Sequence, residues 1–414
     1  MNILYIAYSC SPDHGSEDRI GWKIPVNSTN MNHVFVITKQ EHKRSIEKYQ
    51  KQHPELEKIR FFYVDIPAVY KKVFRGSTYS GRLNIWHRRA HQLAEEICKT
   101  ERIDVIHQIT PVEFRSIGDY GNIPDVKFVC GPIGGGEYIP SGLQSYVGKY
   151  SLQEGIRKCL NKMSLVKLKQ AGILERCDKL LFANQETQRE VCRCFQRTEA
   201  NDPCFTEIGI EQSEIIGKQG RKMYTDACVF LVAGRLIYRK GHDFLLDALK
   251  SLPKDLPWQC NVVGTGKEWK HLKEKITSYG LEDKVHLLGK VPFSRMAQIY
   301  SEADVLIMPS LRETTGSVLL EALARGLPVI TIGQFGGAEI LNENAGWRYT
   351  GDTKEAFVNN LSKCMAECIA KPQEVRKRGE QAALTAQEHT WDKKVNHYQD
   401  IYVQLTKKAG NRNG

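Results

Sequence analysis

Between residues 227 and 332, short apolar runs alternate with stretches of helical period, and each run closes on a glycine or a polar turn. The runs are 227–233, 258–263, 285–288, 305–308 and 328–332. Phe244, Leu245, Ala248 and Leu249 recur at helical spacing after the first, and Met296, Ile299, Tyr300 and Ala303 before the fourth. Strands and helices alternating at this length predict a parallel sheet covered by helices on both faces. Such sheets bind ligands outside the carboxyl ends of their strands, so the turns are where chemistry is to be sought.

The first half repeats the rhythm less regularly, with strand candidates at 3–8, 34–38, 60–64, 105–107, 127–130 and 179–183. An irregular basic section covers 68–89, and a second basic section, 149–169, has helical character. The segment 199–209, containing Asp202-Pro203, reads as a linker. Trp391, Val395, Tyr398, Tyr402 and Leu405 form one stripe of a closing amphipathic helix. A chain of 414 residues accommodates two domains of ordinary size. The expected division is 1–205, 206–390, and a tail helix 391–414 that packs back on the first domain.

The opening MNILYIAYSC carries no basic residue before its apolar run, which suggests a buried strand rather than a signal peptide. No apolar stretch reaches membrane-spanning length. The twelve cysteines form no CxxC pair, so no zinc site is expected, and reduced thiols in the cytoplasm are. The net charge of +11 is uneven. Residues 1–200 hold 30 Lys and Arg against 22 Asp and Glu, whereas 201–414 hold 29 against 26. A basic first half suggests an anionic partner such as nucleic acid, anionic lipid or a phosphate-bearing acceptor, the alternative being a solvated basic surface.

Three turns carry chemistry. Gly234-Arg235-Leu236-Ile237-Tyr238-Arg239-Lys240-Gly241 follows a strand and precedes a helix. Arg235 offers a planar fork to phosphate oxygens and Lys240 a compact charge. Together they would stabilise a departing diphosphate without a metal. The stretch from Glu313 to Gly326 passes from a polar loop into a helix that starts near Gly316. Unpaired N–H groups around Thr315, Gly316 and Ser317 would receive phosphate there. Glu321, one turn in, could accept from a ribose diol, and Glu313 from sugar hydroxyls. Gly264-Thr265-Gly266 and Gly289-Lys290-Val291-Pro292 close two further strands, where a flat base could slot in. The first lacks the third glycine of a dinucleotide fingerprint.

From Val232 to about Trp347 the chain closely resembles the nucleotide-binding domain of family 4 glycosyltransferases. The pieces are GRLIYRKG, VVGTGKE, HLLGKVP, ADVLIMPSLRETTGSVLLEALARGLPVI and GGAEIL, in order and at normal spacing. Glu313 and Glu321 fit that family's E-x7-E signature. SCSPDHGSEDRIGW resembles the family's first loop, making Gly15 and Ser16 donor-contact candidates. HQITPVEFR and FVCGPIGGGE resemble a branch that builds surface polysaccharides.

The resemblance implies the GT-B fold, an α/β architecture of two Rossmann-like doubly wound domains facing across a cleft. It implies retaining, metal-independent hexosyl transfer from a nucleotide-diphosphate sugar, most often a UDP-sugar, to a glycan or polyprenyl-linked acceptor. Glu313, Arg235 and Lys240 then fall at the catalytic centre. Gly15, Ser16, Gly234, Gly264, Gly266, Lys290, Val291, Thr315, Gly316, Ser317 and Glu321 contact the donor. No cofactor and no nucleic acid are expected. Many relatives carry a histidine after the strand at 127–130, where this chain has Gly131-Pro132-Ile133-Gly134-Gly135-Gly136-Glu137. His107 and Glu137 are the candidates to contact sugar or acceptor instead. His87 and His91 share a helical face without an acidic third ligand and read as structural.

Two other functions fit parts of the pattern: a nucleotide-sugar 2-epimerase of the same fold, and a basic nucleic-acid-binding protein without any recognised nucleic-acid motif. The expected location is cytoplasmic. Lys71, Lys72, Arg75, Arg82, Arg88, Arg89, Arg157, Lys158, Lys162, Lys167 and Lys169 offer a route to peripheral attachment at an anionic inner membrane face.

Overall fold

The computed structural model describes residues 1–13, 15–73, 79–217, 227–253 and 255–410. Its chain divides into two compact units, Met1–Gly136 with Gly155–Glu207 and Trp391–Gly414, and Glu137–Glu154 with Ile208–Thr390.

The first unit holds a parallel sheet of β1 (Asn2–Ala7), β2 (His33–Lys39), β3 (Arg60–Val64), β4 (Val105–Thr110), β5 (Lys127–Ile133) and β6 (Lys179–Phe182) in the order β3-β2-β1-β4-β5-β6. Leu4, Ile6, Phe35, Ile106, Phe128 and Leu180 bury one face against Trp86, Ala90, Ala94 and Ile97 of the helix Tyr79–Thr100. Each such Leu, Ile or Phe side chain contributes about 1.5–3 kcal/mol on leaving water. The helix Trp391–Gly410 belongs to this unit, burying Trp391, Val395, Tyr398 and Tyr402.

The second unit repeats the topology. Strands β7 (Cys228–Ala233), β8 (Trp258–Val263), β9 (Val285–Gly289), β10 (Val305–Met308), β11 (Val329–Ile332) and β12 (Gly346–Tyr349) run parallel in the order β12-β11-β10-β7-β8-β9. Phe230, Val262, Ile307 and Ile330 pack with Phe244, Leu245, Ala248 and Leu249 of the helix His242–Lys250. In both sheets the direction of winding reverses once, between β1 and β4 and between β7 and β10. Doubly wound sheets open a ligand crevice at that reversal.

The structure differs from the sequence reading in three places. Residues 137–154, expected in the first domain, belong to the second unit. Leu143, Tyr146 and Val147 are buried in its core, and the Tyr146 hydroxyl donates to Asp247 at 2.7 Å. The section 68–89 is largely helical, through Ala68–Val73 and the start of Tyr79–Thr100. Arg75 and the side chains of Lys71 and Lys72 lie outside the described residues. Finally, β12 has no counterpart among the expected strands.

Among the described residues no cysteine forms a disulfide. Among the described residues no helix is long and apolar enough to cross a membrane.

Candidate active site

In the second unit, β7 and β10 lie side by side, and the loops leaving them pack together. The Leu311 N–H donates to the Arg239 carbonyl at 2.9 Å. Gly241 sits at φ +71, and a Cβ there would fall 1.9 Å from the Pro309 carbonyl oxygen. Only glycine lets the two loops approach this closely. Arg312 and the Tyr238 hydroxyl both bind Glu154, at 2.9 and 2.6 Å, which fixes the same pair of loops from outside.

A small hollow lies where these loops meet. Its lining includes Lys240, His242, Met308, Ser310, Gly316 and Val318. Gly316, at φ +94, is the N-cap of the helix Ser317–Ala324, and no side chain caps that end. The helix therefore presents unsatisfied N–H groups and its positive dipole end beside Lys240.

Glu313 closes the arrangement. Its carboxylate accepts from the Lys240 ammonium, lies 3.6 Å from Arg239, and is 3.4 Å from the Ser310 hydroxyl. Burial pushes the Glu313 carboxyl up. The charges of Lys240 and Arg239 and the hydrogen bonds from Lys240 and Ser310 outweigh that effect, so its pKa lies below the ordinary glutamate value. It is a carboxylate at neutral pH.

Glu321, on the next turn of the helix, accepts from the Tyr300 hydroxyl at 3.0 Å. The Arg325 guanidinium lies over the Tyr300 ring at 4.9 Å. Thr315 is fully buried under the loop, and Ser317 is half-buried at the helix start. Gly234, Gly264 and Gly289 join the ends of β7, β8 and β9. The Gly234 N–H donates to Val263 and the Gly264 N–H to Gly289, at 2.9 and 2.8 Å. Gly266 lies against the Leu236 carbonyl, and Lys290 and Val291 continue past Gly289 at the same edge.

Other candidates stand apart. Arg235 is exposed and does not line the hollow. Gly15 and Ser16 belong to the first unit, after β1. Both are exposed, and Ser16 is the N-cap of the helix Glu17–Ser28. His107 requires a correction. It is fully buried, its Nε2–H donates to the Gly131 carbonyl at 2.7 Å, and its Nδ1 meets the Tyr402 hydroxyl at 2.6 Å. Burial lowers its pKa to about 3. Both ring nitrogens are spent tying the closing helix to the sheet, leaving none for a sugar. Glu137 is buried and belongs to the second unit. His87 bonds Tyr120 and His91 bonds Asn122, as structural residues would.

Sequence reasoning missed His242 and Tyr300. His242 is the first residue of its helix, a position where a lone histidine gives no signal. Tyr300 reads as an apolar stripe residue, and its ring is indeed buried. Only the fold turns its hydroxyl to Glu321.

Residues 216–382 match the family model described as Glycosyl transferases group 1. An uncharacterized glycosyltransferase of Methanocaldococcus jannaschii is 28% identical over 182 residues, which are 41% of this chain and 47% of that protein. The amylovoran biosynthesis glycosyltransferase AmsD of Erwinia amylovora is 32% identical over 154 residues, 37% of this chain and 41% of its own. The chain thus spans less than half the length of these relatives. Among solved structures, HepE of Anabaena in complex with UDP aligns with TM-score 0.64 and 17% identity, covering 98% of this chain and 100% of that one. The lipopolysaccharide outer core galactosyltransferase WaaB aligns with TM-score 0.67 and 15% identity over 98% and 100%. These likenesses show the fold, the GT-B arrangement of two parallel-sheet domains.

Proposed function

We propose, from the match of residues 216–382 to the group 1 glycosyl transferases, that this chain transfers a hexose from a nucleoside-diphosphate sugar to a glycan or lipid-linked glycan in surface polysaccharide synthesis. One observation carries the proposal. Lys240, Ser310 and the uncapped helix start at Gly316 line a single hollow at the reversal of the second sheet.

Breaking the bond between sugar and diphosphate builds negative charge on the leaving phosphate. A cation and preorganised N–H groups at that point stabilise the charge as it develops. Lys240 and the Gly316 helix supply both, and this set of donors suits a transfer that needs no metal. Glu313 sits beside the phosphate position, where its carboxylate accepts from donor-sugar hydroxyls once Lys240 turns to phosphate. Glu321, oriented by Tyr300, takes the ribose diol. The base lies along Gly264, Gly266, Lys290 and Val291. Arg235 is a further donor contact in this reading. Transfer proceeds with retention at the anomeric carbon.

Uridine is the favoured base, since UDP is what the HepE structure holds. Polysaccharide synthesis is supported by AmsD and WaaB, whose names describe amylovoran and lipopolysaccharide work. The chain acts in the cytoplasm, peripherally at the inner membrane face. On the helix Ser151–Gln170, Ile156, Met163 and Val166 are exposed at 47, 48 and 55%, among exposed Lys158, Lys162 and Lys167. Apolar side chains between lysines suit an anionic lipid surface.

The test is a panel of labelled nucleotide sugars with and without lipid-linked or oligosaccharide acceptors, in the presence of EDTA. Acceptor-dependent product of retained configuration supports the reading. Epimerised donor without acceptor, or activity lost to EDTA and restored by manganese, contradicts it. Sedimentation with anionic and neutral vesicles tests attachment, and equal partitioning rejects it.

A further inference from the structure

His242 occupies an unusual position. Its side chain is 4% exposed, and among the described residues neither Nδ1 nor Nε2 has a hydrogen-bond partner. Buried polar atoms without partners are rare, because desolvation is left uncompensated. The residue begins the helix His242–Lys250, directly after Lys240 and Gly241. It lines the hollow that holds Lys240, Ser310 and Gly316.

His242 also borders a second hollow, lined by Tyr150, Tyr238, Asp243, Glu268 and His271 among others. The polar groups there already serve one another. Tyr150 donates to Glu268 at 2.5 Å, and His271 lies 2.9 Å from Asp243. That side is carboxylate-bearing and satisfied. The side shared with Lys240 presents donors, namely the ammonium, the Ser310 hydroxyl and the N–H groups of the helix start at Gly316.

We infer that His242 is a donor-contact residue whose ring N–H binds a nonbridging phosphate oxygen held between Lys240 and the helix start at Gly316. The inference rests on the proposed function and adds to it a residue that no motif marks. Burial first, and the Lys240 charge second, lower the His242 pKa to about 4. The ring is thus neutral at physiological pH and offers one N–H together with one lone pair. A neutral donor here recognises phosphate without adding a second buried cation beside Lys240.

The experiment compares wild type, His242→Leu and His242→Asn, measuring affinity for UDP and for uridine by calorimetry and donor KM and kcat by transfer assay. The leucine keeps the volume and removes the N–H, whereas the asparagine restores an N–H. The expected result is a roughly tenfold or greater loss of UDP affinity in His242→Leu. Uridine affinity stays unchanged, donor KM rises more than kcat falls, and His242→Asn recovers part of the loss. A second measurement needs no variant to fold: histidine ring nitrogen resonances of the wild type, titrated with UDP and with uridine, should move for UDP only. UDP affinity within twofold of wild type in His242→Leu, an equal loss for uridine, or ring resonances indifferent to UDP overturns the inference alone. A wild type that binds no nucleoside diphosphate overturns the proposed function and this inference together.

Discussion

Lys240 and Glu313 form an ion pair across the carboxyl ends of β7 and β10, the ammonium donating to the carboxylate Oε2. Both side chains are largely buried, at 17 and 13% exposure. In the proposed function the pair keeps Lys240 occupied until a phosphate competes for it. Glu313→Gln removes the competitor and keeps the shape. UDP should then bind up to about fivefold more tightly, the factor that 1 kcal/mol of ion pairing represents. Transfer should nevertheless slow by roughly 10²-fold or more, because the carboxylate facing the donor sugar is gone. Calorimetry and initial rates on one preparation separate the two effects.

Glu321 and Tyr300 supply a second prediction. Glu321→Gln weakens one acceptor for a ribose diol, and Tyr300→Phe removes the hydroxyl that orients it. Each should lower UDP affinity by roughly three- to tenfold, the scale of one hydrogen bond to a charged group. The wild type should discriminate against 2′-deoxy-UDP by a similar factor, and Glu321→Gln should lose most of that discrimination. Competition titrations give all four numbers.

Gly264 predicts a stability effect. It sits at φ +136, and an added Cβ would lie 1.9 Å from the Gly234 carbonyl oxygen. Gly264→Ala should destabilise the protein by about 2 kcal/mol or more through strain and collision. Gly155 is the control, since an added Cβ there meets nothing within 4 Å. Gly155→Ala, on a helix, should be neutral or stabilise by up to about 1 kcal/mol. Denaturant titration checks both.

Lys394 makes stability depend on pH. It is buried, donates to the Thr206 carbonyl and lies 3.9 Å from the Phe205 ring centroid. Burial lowers its pKa from 10.5 to about 7, with Glu207 opposing more weakly. The unfolded chain binds the proton throughout the interval from about 7 to 10.5, and the folded chain does not. This group's contribution therefore rises with pH across that window and is flat below it. Lys394→Met should remove that rise, read as the difference between wild-type and variant unfolding free energies at pH 7 and pH 9.5.

The sheets were legible because strands buried on both faces are continuous apolar runs, which few other elements imitate. β12 escaped because Gly346-Trp347-Arg348-Tyr349 is short, carries an arginine and lies at the sheet edge, where one side chain faces water. The transfer of residues 137–154 to the second unit was not legible, since no break in composition follows Gly136 and only the burial of Leu143 and Tyr146 decides it. Within the site, Lys240, Glu313, Gly316 and Glu321 could be found from strand ends and helix starts. The pairing of Lys240 with Glu313, and the unsatisfied ring of His242, depend on how two loops pack, and spacing does not encode that. His107 shows the converse, a polar residue at a strand end whose hydrogen bonds serve the fold.

In the proposed function Lys240 and the helix start at Gly316 grip the phosphates of a nucleotide. Calorimetric titration of wild type and Lys240→Ala with UDP, and with uridine as control, tests this grip. UDP should bind the wild type, lose at least about tenfold in affinity in Lys240→Ala, and leave the weaker uridine binding unchanged. Equal UDP affinity in the two proteins, with Lys240→Ala folded, would contradict it.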